Sequence, residues 1–340
     1  MKTIAVQDAV GRVLAHDVTR IVPGESKGPA FRKGHIVREE DLPVLLDIGK
    51  AHLYVLELKP GMLHENEAAQ RIAAAAAGPG LKLTEPSEGR INLVAETTGL
   101  LKIDVGGLNA LNAVDDVVFA TIHGNHRVEA GQAVGGTRII PLVTHEAVVR
   151  QAEKICAQRA PLISIKPFRA FKIGLITTGS EIYNGRIKDT FGPVVKRKFK
   201  ALGSEVVTQI LVSDEIDMTL VAIAQCREMG VDMIALTGGM SVDPDDQTPA
   251  AIRAAGARVV TYGAPTFPGA MFMLAYLDNI PIVGLPGCVM YHKSSIFELI
   301  VPRILAGDEI RAADIARLGY GGYCAGCPEC RYPACGFGKV

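Results

Sequence analysis

Residues 236–249 read LTGGMSVDPDDQTP, a stretch in which an apolar run ends and a polar loop begins. The run DMIAL has the length and composition of a buried β-strand, and Gly238 and Gly239 follow it closely. Glycines at such a position allow positive φ angles and a close approach of the backbone to a ligand. Thr248 and Pro249 then suit the N-cap and the first position of a helix. This order predicts a loop at the carboxyl edge of an α/β sheet, where ligands bind.

The same order of elements repeats between Phe171 and about Gly307. The predicted strands are FKIGLITT, EVVTQILV, DMIALTGG, ARVVTYG and IPIVGLPG, and the predicted helices are DTFGPVVKRKFKALG and residues 215–229, 249–256 and 290–305. Strands that alternate with helices of this length indicate a mostly parallel, doubly wound sheet. The fold class predicted for residues 170–307 is therefore an α/β domain.

The rest of the chain divides into four regions by its sequence patterns. Residues 1–80 mix strand and helix signals, and HENEAAQRIAAAAAGPG predicts a helix that ends at Gly78-Pro79-Gly80. Residues 81–145 contain short alternating runs separated by glycines, which indicate a small β-rich module. Residues 146–169 are predicted as a helical connector and residues 308–340 as a cysteine-rich tail. We therefore expect the α/β domain to follow a mixed α+β region and a small β-rich module.

Composition and charge exclude several classes of function. The 340 residues carry 36 basic and 36 acidic side chains, so no positive field is available to hold a nucleic-acid backbone. Aromatic residues make up 5% and Trp is absent, which also argues against a surface that stacks bases. The N-terminus MKTIAVQDAV lacks the pattern of a signal peptide, and no apolar run approaches the length of a membrane span. We expect a cytoplasmic protein with no nucleic-acid or membrane partner.

Polar residues follow the other predicted strands of the α/β domain as well. The segments TTGSE (177–181), VSD (212–214) and LPG (285–287) come directly after strands, and RIKDTFG (186–192) leads into a helix. Each of these exits alone is weak evidence for a site. Because the carboxyl ends of parallel strands meet at one edge of a sheet, together they predict a polar pocket there.

The loop after Gly239 contributes three carboxylates to this edge, Asp243, Asp245 and Asp246. Asp is a common turn and capping residue, and that interpretation suffices for Asp243 and Asp245. For Asp246, the polar exits of the neighbouring strands favour a role in a site. Backbone N–H groups at a helix N-terminus favour anions, and carboxylates favour Mg²⁺, which commonly binds one or two of them together with substrate oxygens.

These segments also resemble a known family in order and spacing. TTGSEI, IKDTFGPVV, LVSD, LTGGMSVDPDDQTPAAI, PGAM and GLPG are similar to the molybdopterin-binding domain of molybdenum-cofactor biosynthesis proteins, and most of all to the molybdopterin molybdenumtransferases. The resemblance covers roughly residues 170–307, and AVGRVLAHDV (9–18) resembles the start of those transferases. It implies a three-layer α/β domain that binds molybdopterin or its adenylylated form. In the transferases, molybdate is inserted into the pterin dithiolene in the presence of Mg²⁺ and the nucleotide is released.

The resemblance also assigns roles to individual residues. Asp189 in the I-x-D-T loop and Asp246 after the GG-x-S element match the acidic residues expected to handle Mg²⁺ or molybdate. The residues it assigns to cofactor binding lie at the strand exits: Thr178, Gly179, Ser180, Glu181, Thr190, Asp214, Gly238, Gly239, Ser241, Gly269, Pro286 and Gly287. The expected ligands are thus molybdopterin, molybdate or tungstate and Mg²⁺, with a homodimer and a molybdo- or tungstoenzyme as further partners.

The chain departs from the transferase pattern at several of these positions. Residues 268–271 read PGAM where the transferases have PGKP, and residues 285–289 read LPGCV where they have LPGNP. Ser180 stands in place of a usual Asp, and Asp243 in place of a usual glycine. Loss of the lysine removes a cation beside molybdate or phosphate, where electrostatic help often dominates catalysis. A non-catalytic carrier or sensor of the cofactor is therefore the alternative to a transferase, and a nucleotide pyrophosphate hydrolase is a third hypothesis.

Four of the seven cysteines lie within the tail, in YCAGCPECRYPACGFGK. Cys324, Cys327, Cys330 and Cys335 have the spacing C-x2-C-x2-C-x4-C, which predicts a metal site in a reducing compartment. The bacterial ferredoxin run differs from it by one residue in the last interval, which favours a [4Fe–4S] cluster. A Cys₄ zinc site stays open, although zinc modules usually separate two C-x2-C pairs by a dozen residues or more.

Overall fold

The structure is a computed structural model that describes residues 2–22, 26–56, 58–87 and 89–339. Contacts divide the chain into two compact units. The N-terminal unit comprises Met1–Glu96, Ile103–Ile122 and Ala130–Ser164. The C-terminal unit comprises Thr97–Lys102, His123–Glu129 and Ile165–Val340.

The secondary structure alternates between strands and helices along the whole described chain. In chain order the strands are β1 (Lys2–Ala5), β2 (Val13–Leu14), β3 (Val18–Val22), β4 (Ser26–Phe31), β5 (His52–Leu56), β6 (Met62–His64), β7 (Leu81–Leu83), β8 (Ile91–Ala95), β9 (Gly99–Ile103), β10 (Val117–Thr121), β11 (Arg127–Val128), β12 (Ala133–Ile139), β13 (Val143–His145), β14 (Ile163–Pro167), β15 (Lys172–Thr178), β16 (Glu205–Val212), β17 (Met233–Thr237), β18 (Arg258–Tyr262), β19 (Met273–Leu277) and β20 (Ile280–Leu285). The helices are α1 (Asp41–Asp47), α2 (Glu65–Ala76), α3 (Val105–Asn112), α4 (Glu146–Arg159), α5 (Ser180–Tyr183), α6 (Phe191–Ala201), α7 (Ile216–Glu228), α8 (Thr248–Ala254), α9 (Cys288–Tyr291), α10 (Ile296–Leu305) and α11 (Ala312–Arg317), with a 3₁₀ turn at Val6–Asp8.

The N-terminal unit is a mixture of small antiparallel sheets and helices. Its sheets are β1-β5-β2, β10-β12-β8-β7 and the pairs β3-β4 and β13-β6. The alanine-rich segment forms α2 as predicted, and the side chain of His64 accepts a hydrogen bond from the N–H of Asn66 at its start. Much of 1–80, 81–145 and 146–169 lies in this one compact unit. The division of these residues into separate modules stays a prediction.

The C-terminal unit contains the predicted α/β domain. Its six-stranded sheet has the order β16-β15-β17-β20-β19-β18. The four strands from β16 to β20 run parallel, and β19 and β18 follow as an antiparallel pair at one edge. The prediction of a mostly parallel sheet is confirmed, whereas β19 was not predicted, although Asp278-Asn279 directly follow it as a turn signal.

Helices cover both faces of this sheet, so the domain has three layers. The buried strand residues of one face pack against α6 and α10. There the rings of Phe199 and Phe297 pack edge to face, with 5.1 Å between their centroids. The other face packs against α7 and α8, with Ile223 and Ile252 in its core. Gly174 lets α7 approach the sheet, because a Cβ at this position would lie 2.6 Å from the sulfur of Cys226. Close packing of this kind fixes the strand ends that carry the polar loops.

Two predicted helix boundaries are wrong. The helix expected over residues 290–305 is two helices, α9 and α10, because Ser295 and Glu298 form a capping box that starts α10 anew. Thr248 is the first residue of α8, and Gln247 is the N-cap. The Thr248 hydroxyl donates to the carbonyl of Gly238 and does not accept a hydrogen bond from a backbone N–H of the helix. Among the described residues, no helix combines the length and the apolar character needed to cross a membrane.

Candidate functional site at the carboxyl edge of the sheet

The register of the parallel strands brings the predicted strand exits to one edge of the sheet. Thr178 at the end of β15 lies opposite Val212 at the end of β16. Thr237 at the end of β17 lies between Thr177 of β15 and Leu285 of β20. The polar loops after all four parallel strands therefore start side by side, as the sequence predicts.

A chain of buried threonine hydroxyls joins these strand ends. The hydroxyls of Thr178 and Thr248 lie 3.2 Å apart, and that of Thr248 donates to the carbonyl of Gly238 at 2.9 Å. The hydroxyl of Thr237 donates to that of Thr177 at 3.2 Å. Because such buried groups are costly to leave unpaired, the network ties the start of α8 to the ends of β15 and β17.

The two glycines after β17 are required by their neighbours. Gly238 and Gly239 have φ angles of +86° and +55°. A Cβ on Gly238 would lie 2.2 Å from the carbonyl oxygen of Thr178, and one on Gly239 would lie 2.6 Å from the hydroxyl of Thr248. The structure shows a close approach of Gly238 to Thr178 of the adjacent strand exit, while the predicted approach of this backbone to a ligand stays a prediction.

The loop after β15 is held by a carboxylate from the next exit. The backbone N–H of Ser180 donates to Oδ2 of Asp214 at 2.8 Å. Gly179 makes the turn into α5 with a φ of +145°, and Glu181 is exposed at the start of that short helix. One ordered part of the site thus contains Gly179, Ser180, Glu181 and Asp214.

Asp189 stabilises the start of α6. Its Oδ1 accepts hydrogen bonds from the N–H groups of Phe191 at 2.8 Å and Gly192 at 3.0 Å. Its Oδ2 accepts a bond from the side-chain amide of Gln209 at 2.7 Å. Both oxygens therefore have partners within the chain, and nothing in the sequence pattern of β16 indicated Gln209. The neighbouring Thr190 is exposed, and its hydroxyl donates to the sulfur of Met290 at 3.5 Å.

Asp246 is the less engaged of the two predicted catalytic carboxylates. Its Oδ2 accepts one long bond, 3.3 Å, from the N–H of Asp243, and its side chain is half-buried beside the exposed Asp243 and Asp245. The hydroxyl of Tyr262 donates to the carbonyls of Met240 and Ser241 at 3.1 Å each, which fixes the start of this loop.

Tyr262 is a second residue of this edge that sequence reasoning missed. Burial raises the pKa of Tyr262, and the charge of Asp246 raises it further, so the phenol keeps its proton and acts as a donor. Ser241 is exposed, which leaves its side-chain hydroxyl open to solvent in the same loop.

The remaining predicted residues lie on two segments next to α10. Gly269 has a φ of +134°, and a Cβ there would lie 2.5 Å from the Cβ of Ile296. Pro286 and Gly287 follow β20, and their carbonyls accept hydrogen bonds from the N–H groups of Val289 and Met290 in α9. A Cβ on Gly287 would meet nothing within 4 Å, so packing alone does not require glycine there.

The four tail cysteines lie around one cavity of about 370 Å³. Cys324 and Cys335 are half-buried, whereas Cys327 and Cys330 are exposed. Within residues 2–22, 26–56, 58–87 and 89–339, no three His, Cys, Asp or Glu side chains stand in positions that would hold a metal ion. A metal in the tail would therefore draw the thiols together, and an Mg²⁺ at the sheet edge would need only one or two carboxylates beside its substrate.

Comparison with known proteins assigns the α/β domain. Residues 174–306 match the family described as "Probable molybdopterin binding domain". These residues belong to the molybdopterin-binding domain family. Residues 3–57 match a domain of unknown function. The cysteine tail lies outside both matches.

Curated proteins are also similar to this chain, the first of them over limited stretches. Molybdopterin molybdenumtransferase of Staphylococcus aureus (strain COL) is 27% identical over 130 residues, which cover 36% of this chain and 31% of that protein. The enzyme of the same name from Bacillus subtilis (strain 168) is 26% identical over 159 residues, or 45% of this chain and 34% of that protein. The match thus spans about a third of the length of these relatives. For the Staphylococcus epidermidis protein of that name, 21% identity extends over 84% of this chain and 66% of that protein.

Solved structures match about two fifths of the chain. The tungsten cofactor synthesizing protein MoaB from Pyrococcus furiosus is 22% identical, with a TM-score of 0.34, and the match covers 40% of this chain and 95% of that one. The molybdopterin biosynthesis enzyme MoaB from Thermus thermophilus is 19% identical, with a TM-score of 0.33, over 41% of this chain and 98% of that one.

Proposed function

We propose that the chain binds molybdopterin, or its adenylylated form, at the carboxyl edge of the sheet and acts in molybdenum or tungsten cofactor biosynthesis. The reaction at this edge is insertion of molybdate or tungstate into the pterin dithiolene, with Mg²⁺ and release of the nucleotide. The observation that carries the proposal is the family match of residues 174–306, whose polar strand exits all start at one edge. This reaction takes place in the cytoplasm.

The contacts of the pocket residues indicate two roles, direct contact with the ligand and positioning of the loops. The exposed Glu181 and Thr190 and the Ser241 hydroxyl offer polar contacts to the pterin and its phosphate. Gly238 and Gly239 keep the backbone of two exits close together, and Asp214 holds the loop of Ser180 in place. These contacts bind and orient the cofactor.

The two acidic residues have different tasks. Asp246 has free lone pairs in an exposed loop and would hold Mg²⁺ together with substrate oxygens, which is the usual manner of binding for this ion. When bound, Mg²⁺ supplies charge neutralisation at the phosphate and the oxyanion. Asp189 accepts hydrogen bonds from the N-terminus of α6 and from Gln209. Through these bonds it orients the loop that carries Thr190.

The departures from the transferase pattern support the alternative of a carrier or sensor. Ala270 offers no cation at the position where the transferases have lysine, and Cys288 replaces their asparagine. Without that cation, stabilisation of developing negative charge is reduced more than binding is. In this alternative the chain holds the finished cofactor and transfers it to a molybdo- or tungstoenzyme, alone or as a homodimer. The tail would hold its own metal, a [4Fe–4S] cluster or Zn²⁺, in either case.

One anaerobic experiment separates these possibilities. Purified protein receives adenylylated molybdopterin, molybdate and Mg²⁺, and nucleotide release is followed together with the formation of active cofactor. We expect release to depend on molybdate and to fall at least about 100-fold in Asp246→Ala. The control is Asp245→Ala, which removes an exposed carboxylate from the same loop.

The outcomes of this experiment differ clearly. Equal loss in the Asp245 and Asp246 variants would remove Asp246 from the proposed role. Tight pterin binding without nucleotide release would favour the carrier. Hydrolysis of simple nucleotides without any pterin requirement would favour a pyrophosphate hydrolase, and absence of pterin binding would overturn the proposed function.

A further inference from the structure

The cysteine tail is attached to one of the strand-exit segments by backbone hydrogen bonds. The N–H of Phe267 donates to the carbonyl of Gly322 at 2.8 Å, and the N–H of Cys324 donates to the carbonyl of Phe267 at 2.8 Å. Phe267 and Tyr323 thus form a parallel β-bridge directly beside the first cysteine. Gly269, a predicted pocket residue, follows Phe267 by two positions.

A second contact joins the tail to the segment after β20. The cavity that the four cysteines line is also lined by residues 291–294. The hydroxyl of Ser294 lies 3.5 Å from the sulfur of Cys330, and Ser294 is buried. This is the same stretch in which the predicted helix is interrupted. The break between α9 and α10 is therefore one wall of the cysteine cavity.

The far side of the tail is packed on α10. The hydroxyl of Tyr332 donates to the carbonyl of Glu298 at 3.1 Å. The N–H of Gly338 donates to the carbonyl of Gly321 at 2.8 Å, which closes the tail into a loop. A Cβ on Gly338 would lie 2.2 Å from Leu299, so the backbone of the tail lies directly on the helix. Cys324 and Cys335 pack against the same core.

The two segments that the tail contacts are those in which the chain departs from the transferases. One carries Ala270 in place of the usual lysine, and the other begins with Cys288 in place of the usual asparagine. The second segment also contacts the predicted pocket, because the sulfur of Met290 accepts a hydrogen bond from the hydroxyl of Thr190. Lys198 donates to the carbonyls of the two residues that follow α9. The tail is thus connected to the pocket through both altered segments.

We propose that the four tail thiols bind a [4Fe–4S] cluster and that the cluster fixes residues 265–270 and 288–294 at the edge of the pocket. The spacing C-x2-C-x2-C-x4-C favours a cluster over zinc, because it differs from the bacterial ferredoxin run by one residue in the last interval. In the described chain the four thiols line one cavity of about 370 Å³, into which they would draw together on binding the cluster. The effect on the pterin rests on the proposed function, whereas the cluster and its effect on the two segments do not.

Binding of the cluster is a ligand exchange that needs no oxidant or reductant. A preformed [4Fe–4S] cluster carrying four small thiolate ligands reacts with four cysteine thiols. Each cysteine sulfur forms an iron–sulfur bond as one small thiolate leaves, and the proton of that cysteine goes to the departing thiolate. The charge and oxidation state of the cluster core are unchanged.

The first test measures iron and acid-labile sulfide in the full-length protein after anaerobic exchange with such a cluster. We expect one cluster per chain, with its charge-transfer absorption, and its loss in the double variant Cys327→Ser/Cys330→Ser, whose positions are exposed. Cys288→Ser is the matched control, since Cys288 lies in a contacted segment but does not line the cavity, and it should retain the cluster. Absence of iron in the wild type, or one tightly held Zn²⁺ in its place, overturns the assignment.

The second test follows amide hydrogen exchange with and without the cluster. Peptides that cover residues 265–270 and 288–294 should exchange at least about fivefold more slowly in the loaded protein, the lower end of usual coupling between sites. Peptides from the N-terminal unit serve as the internal control. Equal exchange in both forms overturns the coupling even if the cluster is bound.

A pterin titration then separates this inference from the proposed function. We expect the affinity for molybdopterin to fall at least about fivefold when the cluster is removed by the double serine substitution. Failure of both forms to bind pterin would overturn the proposed function, while the exchange result would still decide whether the cluster orders the two segments. Equal pterin affinity of the loaded and unloaded forms would contradict the link to the pocket.

Discussion

Gln209 donates a hydrogen bond from its side-chain amide to Oδ2 of Asp189 at 2.7 Å. The same amide donates to the hydroxyl of Thr177 at 3.0 Å. The other oxygen of Asp189 accepts from the backbone of Phe191 and Gly192. Gln209 therefore links the loop before α6 to the end of strand β15, and its hydrogen bond engages one oxygen of Asp189.

Replacement of Gln209 by alanine should release Asp189 from this anchor. We expect a loss on the order of 1–2 kcal/mol in the free energy of unfolding, because a half-buried hydrogen bond to a charged group is broken. Molybdopterin should bind more weakly, since the loop before α6 loses its fixed position. Urea unfolding and a pterin titration measure the two effects, with Gln225→Ala at an exposed position of α7 as the control. An equal loss in the Gln225 variant would show that the bond is not responsible.

A pair of glycine substitutions tests the close approach of the strand exits. Gly203 and Gly238 have similar φ angles, +78° and +86°, so alanine is strained at both. A Cβ on Gly203 meets nothing within 4 Å, and Gly203→Ala should cost only about 1 kcal/mol, the penalty of the left-handed conformation. At Gly238 the Cβ would lie 2.2 Å from the carbonyl oxygen of Thr178, so the cost should reach about 3 kcal/mol or more. Equal midpoints in denaturant for the two variants would contradict the close approach.

The sheet and its strand exits could be predicted because their signals are local. The inner parallel strands β15, β17 and β20 are buried on both faces and are therefore largely apolar runs, and Gly238 and Gly239 follow β17 closely. The α/β class and the position of the loops are read from this pattern, and the structure confirms them. The roles of the individual pocket residues stay predictions.

The residues that were missed act through contacts that sequence spacing does not reveal. Gln209 lies within a strand and Tyr262 ends an edge strand, and each reaches a loop that is distant in the chain. Such pairings depend on tertiary packing, which overrides local propensity. The break between α9 and α10, in contrast, has a local signal, because Ser295 and Glu298 have the S-x-x-E spacing of a capping box and follow polar residues.

The buried His126 should make the protein less stable in mild acid. Burial, followed by the charges of Lys339 and His123, lowers the pKa of His126 to about 4. Between about pH 6.5 and 4 the unfolded chain binds this proton and the folded chain does not, so stability is full above pH 6.5 and falls as the pH is lowered. The loss should reach on the order of 3 kcal/mol near pH 4.

The check on His126 is urea unfolding at pH 7.5 and at pH 5 for three proteins. The wild type and His123→Gln, which removes an exposed imidazole, should both lose stability at the lower pH. His126→Gln should lose distinctly less between the two values, although it starts from a lower stability because a packed, buried group has been changed. A pH dependence that is the same in all three proteins would rule out His126 as its source.

The cysteines should fall into two classes of reactivity in the native, metal-free protein. Burial raises the pKa of Cys156 and of Cys226 to about 11, so at pH 8 only about one thiol in a thousand is ionised, and both side chains are shielded. Cys327 and Cys330 are exposed and should be alkylated first by iodoacetamide, as followed by mass spectrometry of tryptic peptides. In urea all seven cysteines should react, which controls for the intrinsic reactivity of each peptide. Early labelling of Cys226 under native conditions would mean that α7 does not stay packed on Gly174. The sheet that positions the site would then also be loosely packed.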